Sequence, residues 1–134
     1  MIAVDSSVAV AAFASWHPAH ETALEIVNAG VVLPAHVALE TYSVVTRLPP
    51  PHRARPDAAQ RYLRDSFDAQ WLTLPGAEVA ALVQELAARG ISGGSTYDGL
   101  IAATARAAGA RLCTRDLRAK STYDLLGVDV VYVG

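Results

Sequence analysis

Short apolar runs alternate along the chain with longer stretches whose apolar residues recur every three or four positions. That alternation predicts a parallel sheet covered by helices. Ile2–Val4 predicts a first strand, ending at Asp5. Ser6 or Ser7 can cap the helix that follows, and Val8, Ala12 and Phe13 give that helix an apolar face until His17 and Pro18 interrupt it. A second helix is expected over 19–29, stopped by Gly30, and a second strand over 31–33, closed by Pro34. The spacing of Val37, Leu39, Tyr42, Val44 and Val45 predicts a helix over 36–48. Pro49, Pro50 and Pro51 then form a stiff break. Beyond it the pattern predicts a helix body over 58–67, a third strand over 71–74 and a helix through Val79, Leu82, Val83 and Leu86 that stops at Gly90. After the loop at 92–95 come an Ala-rich helix over 96–108, a fourth strand over 111–114 and a fifth over 128–133. The expected architecture is a single domain, 1–134, of three α/β layers with a short, mostly parallel sheet of about five strands flanked by helices.

Composition narrows the function classes. A chain of 134 residues buries roughly 67% of its extended surface, and 52% hydrophobic with 18% charged residues excludes disorder. Cys113 is the one cysteine, so neither an internal disulfide nor a Cys-rich zinc site is available. The apolar start carries Asp5 and no basic n-region, so it does not read as a signal peptide, and no apolar run reaches the length of a membrane span. A cytoplasmic protein without membrane association is expected. The formal net charge of −2 gives no global positive field, so nucleic acid would have to be bound by a local patch or through a metal.

Four acids stand in apolar or small surroundings: IAVDSS around Asp5, VALETY around Glu40, STYDGL around Asp98 and CTRDL around Asp116. Asp5 and Asp116 each follow a strand, Asp98 lies in the first turn of a helix, and Glu40 lies in the helix after the second strand. All four should meet at the carboxyl edge of the sheet, where open parallel sheets bind ligands. Each also has a structural explanation: Asp5 and Asp116 as helix or loop caps, and Asp98 in a capping box with Ser95. Two carboxylates about 4 Å apart repel by roughly 4 kcal/mol at an effective dielectric of 20, so a cluster must protonate, pair with arginine or bind a cation. Hard oxygen donors suit magnesium or manganese, and magnesium on carboxylates serves phosphodiester hydrolysis by orienting the phosphate and activating water.

With these residues in place, the chain resembles the PIN-domain ribonucleases, and in size the VapC-type toxins of bacterial toxin–antitoxin pairs. The resemblance rests on IAVDSSVAVAAF, PAHVALETYSVVTRL, STYDGLIAATARAAGARLCTRD and the terminal strand. It implies a magnesium-dependent endoribonuclease, often of tRNA or rRNA, with Asp5, Glu40, Asp98 and Asp116 as its acidic set. Asp5, Asp98 and Asp116 would hold the ion directly or through water, and Glu40 would handle the attacking water or a second ion. Ser6, Ser7 and Thr114 are expected to support the site. The resemblance also implies a cognate antitoxin and a homodimer. A catalytically silent partner-binding module and a housekeeping RNA-processing nuclease are the alternatives. A receiver domain lacks its central Asp after the third strand, and a phosphatase of the dehalogenase type lacks the D-x-D that Asp5–Ser6–Ser7 would have to supply.

The basic residues are concentrated, with Arg47, Arg53, Arg55, Arg61 and Arg64 placing five of eleven cations within eighteen residues. They read either as a solvated helix surface or as a phosphate-contacting arm, with Arg47, Arg53 and Arg55 as the expected RNA contacts. The four histidines have no zinc-site spacing and read as caps or surface residues. Cys113 reads as a buried inert thiol, and Trp16 and Trp71 as core or interface.

Overall fold

A computed structural model describes residues 1–134. Three strands form the sheet: β1 (Ile2–Val4), β2 (Arg111–Thr114) and β3 (Val130–Tyr132). They pair in the order β1-β2-β3, both pairs parallel, with Val4 opposite Cys113 and Cys113 opposite Val131. Seven helices surround them: α1 (Ser6–Phe13), α2 (His20–Asn28), α3 (Ala35–Thr46), α4 (Pro56–Ser66), α5 (Gly76–Ala88), α6 (Ser95–Ala107) and α7 (Leu117–Leu125). None is long and apolar enough to cross a membrane.

The sheet has three strands rather than the expected five. The segments expected at 31–33 and 71–74 survive as single parallel bridges, Ala3 with Val32 and Pro34 with Leu72. Both are cut short at a proline. Pro34 has no N–H to extend the ladder, and Pro75 opens α5 directly after the second bridge. The last strand is also shorter than the expected 128–133, running only over Val130–Tyr132. The helix predictions for α2 to α6 stand within a few residues. α7 was not expected at all: its buried residues are Ala119, Thr122 and Tyr123, small or polar side chains that leave no apolar stripe to read.

The core is built of small residues. Val4, Val8, Val37, Ile101 and Leu112 are buried, and alanines of α1 and α6 fill the space between. Gly99 lets α6 approach its neighbours closely: a Cβ there would lie 2.7 Å from a Leu86 methyl of α5 and 3.3 Å from a methyl of Leu126. The consequence for function is directional. All three strands are parallel, so β1 and β2 deliver Asp5 and Asp116 to one edge, and α6 and α3 pack beside it.

Candidate active site

Asp5 is the anchor of this edge. It is only 3% exposed and accepts four hydrogen bonds. The Ser7 backbone N–H and hydroxyl donate to Oδ1 at 3.0 and 2.5 Å, and the Thr114 and Tyr123 hydroxyls donate to Oδ2 at 2.5 and 2.8 Å. Burial still outweighs these donors and pushes the Asp5 carboxyl above its ordinary range. The supporting hydroxyls also fix the end of β2. Ser7 Oγ accepts from the Arg115 N–H at 2.8 Å, and Thr114 Oγ1 accepts from the Asp116 N–H at 3.0 Å. Thr114 thus bridges the Asp5 carboxylate and the Asp116 backbone. Of the two candidate serines, Ser7 makes these bonds, whereas the Ser6 hydroxyl makes none to the acids. The reason is that Asp5 is the N-cap of α1, and a cap accepts from the residue two ahead.

Asp116 likewise caps α7, accepting the Arg118 N–H at 2.9 Å, with the Arg118 guanidinium 3.5 Å away. The capping explanations for Asp5 and Asp116 are thus correct, and they coexist with a place at the edge. The capping box between Ser95 and Asp98 is not made: α6 starts after Gly94 with no side-chain cap. Asp98 accepts no hydrogen bond from a side chain and has no ion pair. Its carboxyl is pushed up to about 6, first by burial and then by the charges of Glu40, Asp116 and Asp5. The other three acids of the set are therefore close enough for their charge to reach Asp98 at this edge.

Glu40 meets His36 one turn earlier on α3, Nε2 to Oε2 3.4 Å. The His36 ring lies parallel to Tyr97 at 5.3 Å between centroids, which ties α3 to the first turn of α6 beside Asp98. Sequence reasoning missed His36, Tyr97 and Tyr123. Tyr123 was hidden with its helix, and the other two meet only because α3 packs on α6. The Tyr123 hydroxyl is held protonated by burial and by the neighbouring Asp5 charge, which suits it to donate.

No three His, Cys, Asp or Glu side chains are grouped tightly enough to hold a metal ion between them alone. An ion at this edge would complete its shell with water beside the carboxylates of Asp5, Asp98 and Asp116. Asp5 in particular has its four acceptor sites taken by its four donors. The donor set nonetheless fits magnesium, which binds through one or two carboxylates and keeps several waters. Asp98 and Asp116 have acceptor sites to spare, and Asp98 has no ion-pair partner, only the more distant charge of Arg118 to offset its own.

The basic arm is divided. Arg55 and Arg61 pair with Asp57 and Arg64 pairs with Asp65, while Arg47 and Arg53 have no carboxylate partner. Arg47 donates to the Ser43 hydroxyl, and Arg53 to the Leu48 carbonyl. Cys113 is buried as expected, and burial pushes its thiol up. The tryptophans are not core residues: Trp16 is 46% exposed and Trp71 38%.

The PIN domain family matches residues 2–125. Ribonuclease VapC40 of Mycobacterium tuberculosis is 53% identical over 99% of both chains. Ribonuclease VapC27 of the same organism is 41% identical over 97% of this chain and 95% of that protein. Among solved structures, VapBC2 from Rickettsia felis bound to a DNA fragment from its promoter superposes with a TM-score of 0.69, covering all of both chains at 16% identity, so that likeness concerns the fold alone. Four acids gathered at the carboxyl edge of a parallel sheet, in a chain related end to end to VapC proteins, make this protein a member of the PIN domain family.

Proposed function

We propose that this protein is a magnesium-dependent endoribonuclease and the toxin of a toxin–antitoxin pair, kept inactive by a cognate antitoxin. The observation that carries this reading is the 53% identity, over 99% of both chains, with a protein named as a ribonuclease. The acidic edge supplies the matching chemistry. Bound magnesium, or manganese in its place, would orient the phosphate, activate water and offset charge developing on the phosphate oxygens. Asp5, Asp98 and Asp116 would hold the ion, directly or through water. Glu40, beside His36 on α3, would take a proton from the attacking water. Attack in line with the 3′-oxygen, which departs with a proton, leaves a 5′-phosphate and a 3′-hydroxyl. The N-termini of α1, α6 and α7 lie at this edge and favour the phosphate anion there.

Exposed apolar surface supports the expected protein partners. Leu39, Tyr42 and Trp71 line a groove of about 350 Å³ with Ala38, Leu63 and Ala69, and Val79 and Val83 form a second exposed patch on α5. Apolar patches of this kind mark protein contacts, as an antitoxin or a second copy of the chain would require.

The deciding experiment is cleavage of RNA by purified protein with magnesium and with chelator, beside Asp98→Asn and Asp5→Asn. Cutting that needs the metal and falls at least about 100-fold in both variants is expected, and induced expression should arrest growth only with the wild-type acids. Sequenced product ends would name the RNA. Equal cutting or equal toxicity of the variants at equal abundance would move the site elsewhere.

A further inference from the structure

Eleven lysines and arginines face thirteen acids in this chain, and all but three of the cations are ion-paired with carboxylates. The three left over are Arg47 and Arg53, six residues apart, and Arg115, far from both in sequence. Tertiary structure relates them. Arg53 follows His52, whose ring lies tilted against Trp16 at 4.3 Å between centroids and 33° between planes. Trp16 in turn lies 6.0 Å from the His17 ring. Arg115 is close enough to His17 for its charge, after burial, to hold that imidazole below its ordinary range. Arg115 itself follows Thr114 and precedes Asp116 at the acidic edge, and its Nε is buried with no hydrogen-bond partner. Arg47 ends α3 at the start of the loop that carries His52. Trp16 and His52 therefore join two otherwise separate loops, 14–19 and 47–55, and both rings remain exposed rather than sinking into the core.

Two exposed aromatic rings in contact, one of them next in sequence to Arg53, which has no carboxylate partner, are poorly explained by packing in an acidic protein. Burial would be the usual end of a tryptophan kept for stability. Such a strip has the composition that single-stranded nucleic acids require, with rings for bases and guanidinium groups for the phosphates between them. We propose that Trp16 and His52, with Arg53 on one side and His17 and Arg115 on the other, form a binding track for the single-stranded RNA segment that flanks the cut. On this track a base stacks on the Trp16–His52 pair, Arg53 meets a phosphate, and Arg115 hands the strand to the acidic edge. The track rests on the ribonuclease reading above and adds to it a site for the substrate away from the scissile bond.

The chain has two tryptophans, so Trp71→Phe leaves Trp16 as the sole indole emitter. The experiment uses this protein and an unstructured RNA oligonucleotide of about ten nucleotides in chelator, where nothing is cut, followed by binding and cleavage with Trp16→Ala and Trp16→Phe. Quenching of Trp16 emission on titration is expected. Trp16→Ala should bind about 5- to 150-fold more weakly, the range that one base–aromatic stack contributes. Trp16→Phe, which keeps an aromatic face, should keep most of the affinity. Arg53→Ala should lower the slope of log affinity against log salt by about 0.7. Unmoved Trp16 emission with RNA bound, or unchanged affinity of a folded Trp16→Ala protein that still cuts RNA, would overturn the track and leave the ribonuclease reading standing. Loss of antitoxin binding with RNA affinity intact would also overturn it, making the strip a protein interface. A wild-type protein that neither binds nor cuts RNA would remove both readings.

Discussion

Asp98→Asn should make the metal-free protein more stable at neutral pH. Asp98 is the acid at the edge without a side-chain partner, and its carboxyl is raised from 3.8 to about 6 by burial and by Glu40, Asp116 and Asp5. A folded-state value above the unfolded one means that the folded protein holds this proton longer. The stabilisation linked to it is therefore complete below about pH 4 and is lost as the pH rises through 6. Two units correspond to about 3 kcal/mol. The side chain is partly exposed, so solvent screening reduces this to about 1–2 kcal/mol. The carboxylate also stands in the first turn of α6, whose dipole returns about 0.3–1 kcal/mol. A net gain of about 1 kcal/mol is left for the asparagine variant at pH 7.5, a rise in Tm of about 3–5 °C for a chain of this length. Urea unfolding of both proteins in chelator, from pH 4 to 7.5, measures it. The remaining acids titrate in both proteins, so the difference between the two curves isolates position 98. It should be near zero at pH 4 and grow through pH 6. A pH-independent difference, or a variant less stable at pH 7.5, would refute the account of Asp98 as a charge under repulsion.

Magnesium added at constant ionic strength should stabilise the wild type by RT ln(1 + [L]/Kd), about 1.4 kcal/mol at ten times Kd, and Asp98→Asn should lose most of that gain in melting curves; equal shifts would indicate screening rather than a site. At position 116 the cap and the charge separate: Asp116→Asn keeps the cap of α7 and should match the metal-free stability of the wild type, whereas Asp116→Ala should lose about 1 kcal/mol by calorimetry. Thr114→Val leaves the Asp116 N–H and one Asp5 site unpartnered, so a cost of about 1–3 kcal/mol is expected in denaturant unfolding, and an unchanged midpoint would show that the network carries little. In salt-dependent RNA binding, Arg55→Ala should change the slope less than Arg53→Ala, because Arg55 is already paired with Asp57.

The local pattern was enough to determine the helices α2 to α6 and to single out four acids from their neighbours. Helical periodicity, glycine stops and prolines act within a few residues, and a carboxylate amid Val37, Leu39, Tyr42 and Val44 stands out against its own neighbours. The order of strand, acid and helix also implied that Asp5 and Asp116 share an edge, since parallel strands point one way. What tertiary structure decided depends on partners distant in the chain. Whether 31–33 and 71–74 form strands turned on how many ladder bonds a neighbour could supply beside Pro34 and Pro75, and one bridge each was the answer. α7 is a helix because its tyrosine finds Asp5, 118 residues away, and the core closes over it, a stabilisation that a polar nine-residue stretch does not carry in its own sequence. Ser7 rather than Ser6 supports the site because cap geometry singles out one of two identical side chains. Which arginines remain free, and that Trp16 meets His52, followed from where Asp57, Asp65 and two loops came to rest, since charge pairing and ring stacking are settled by distances that only the folded chain sets.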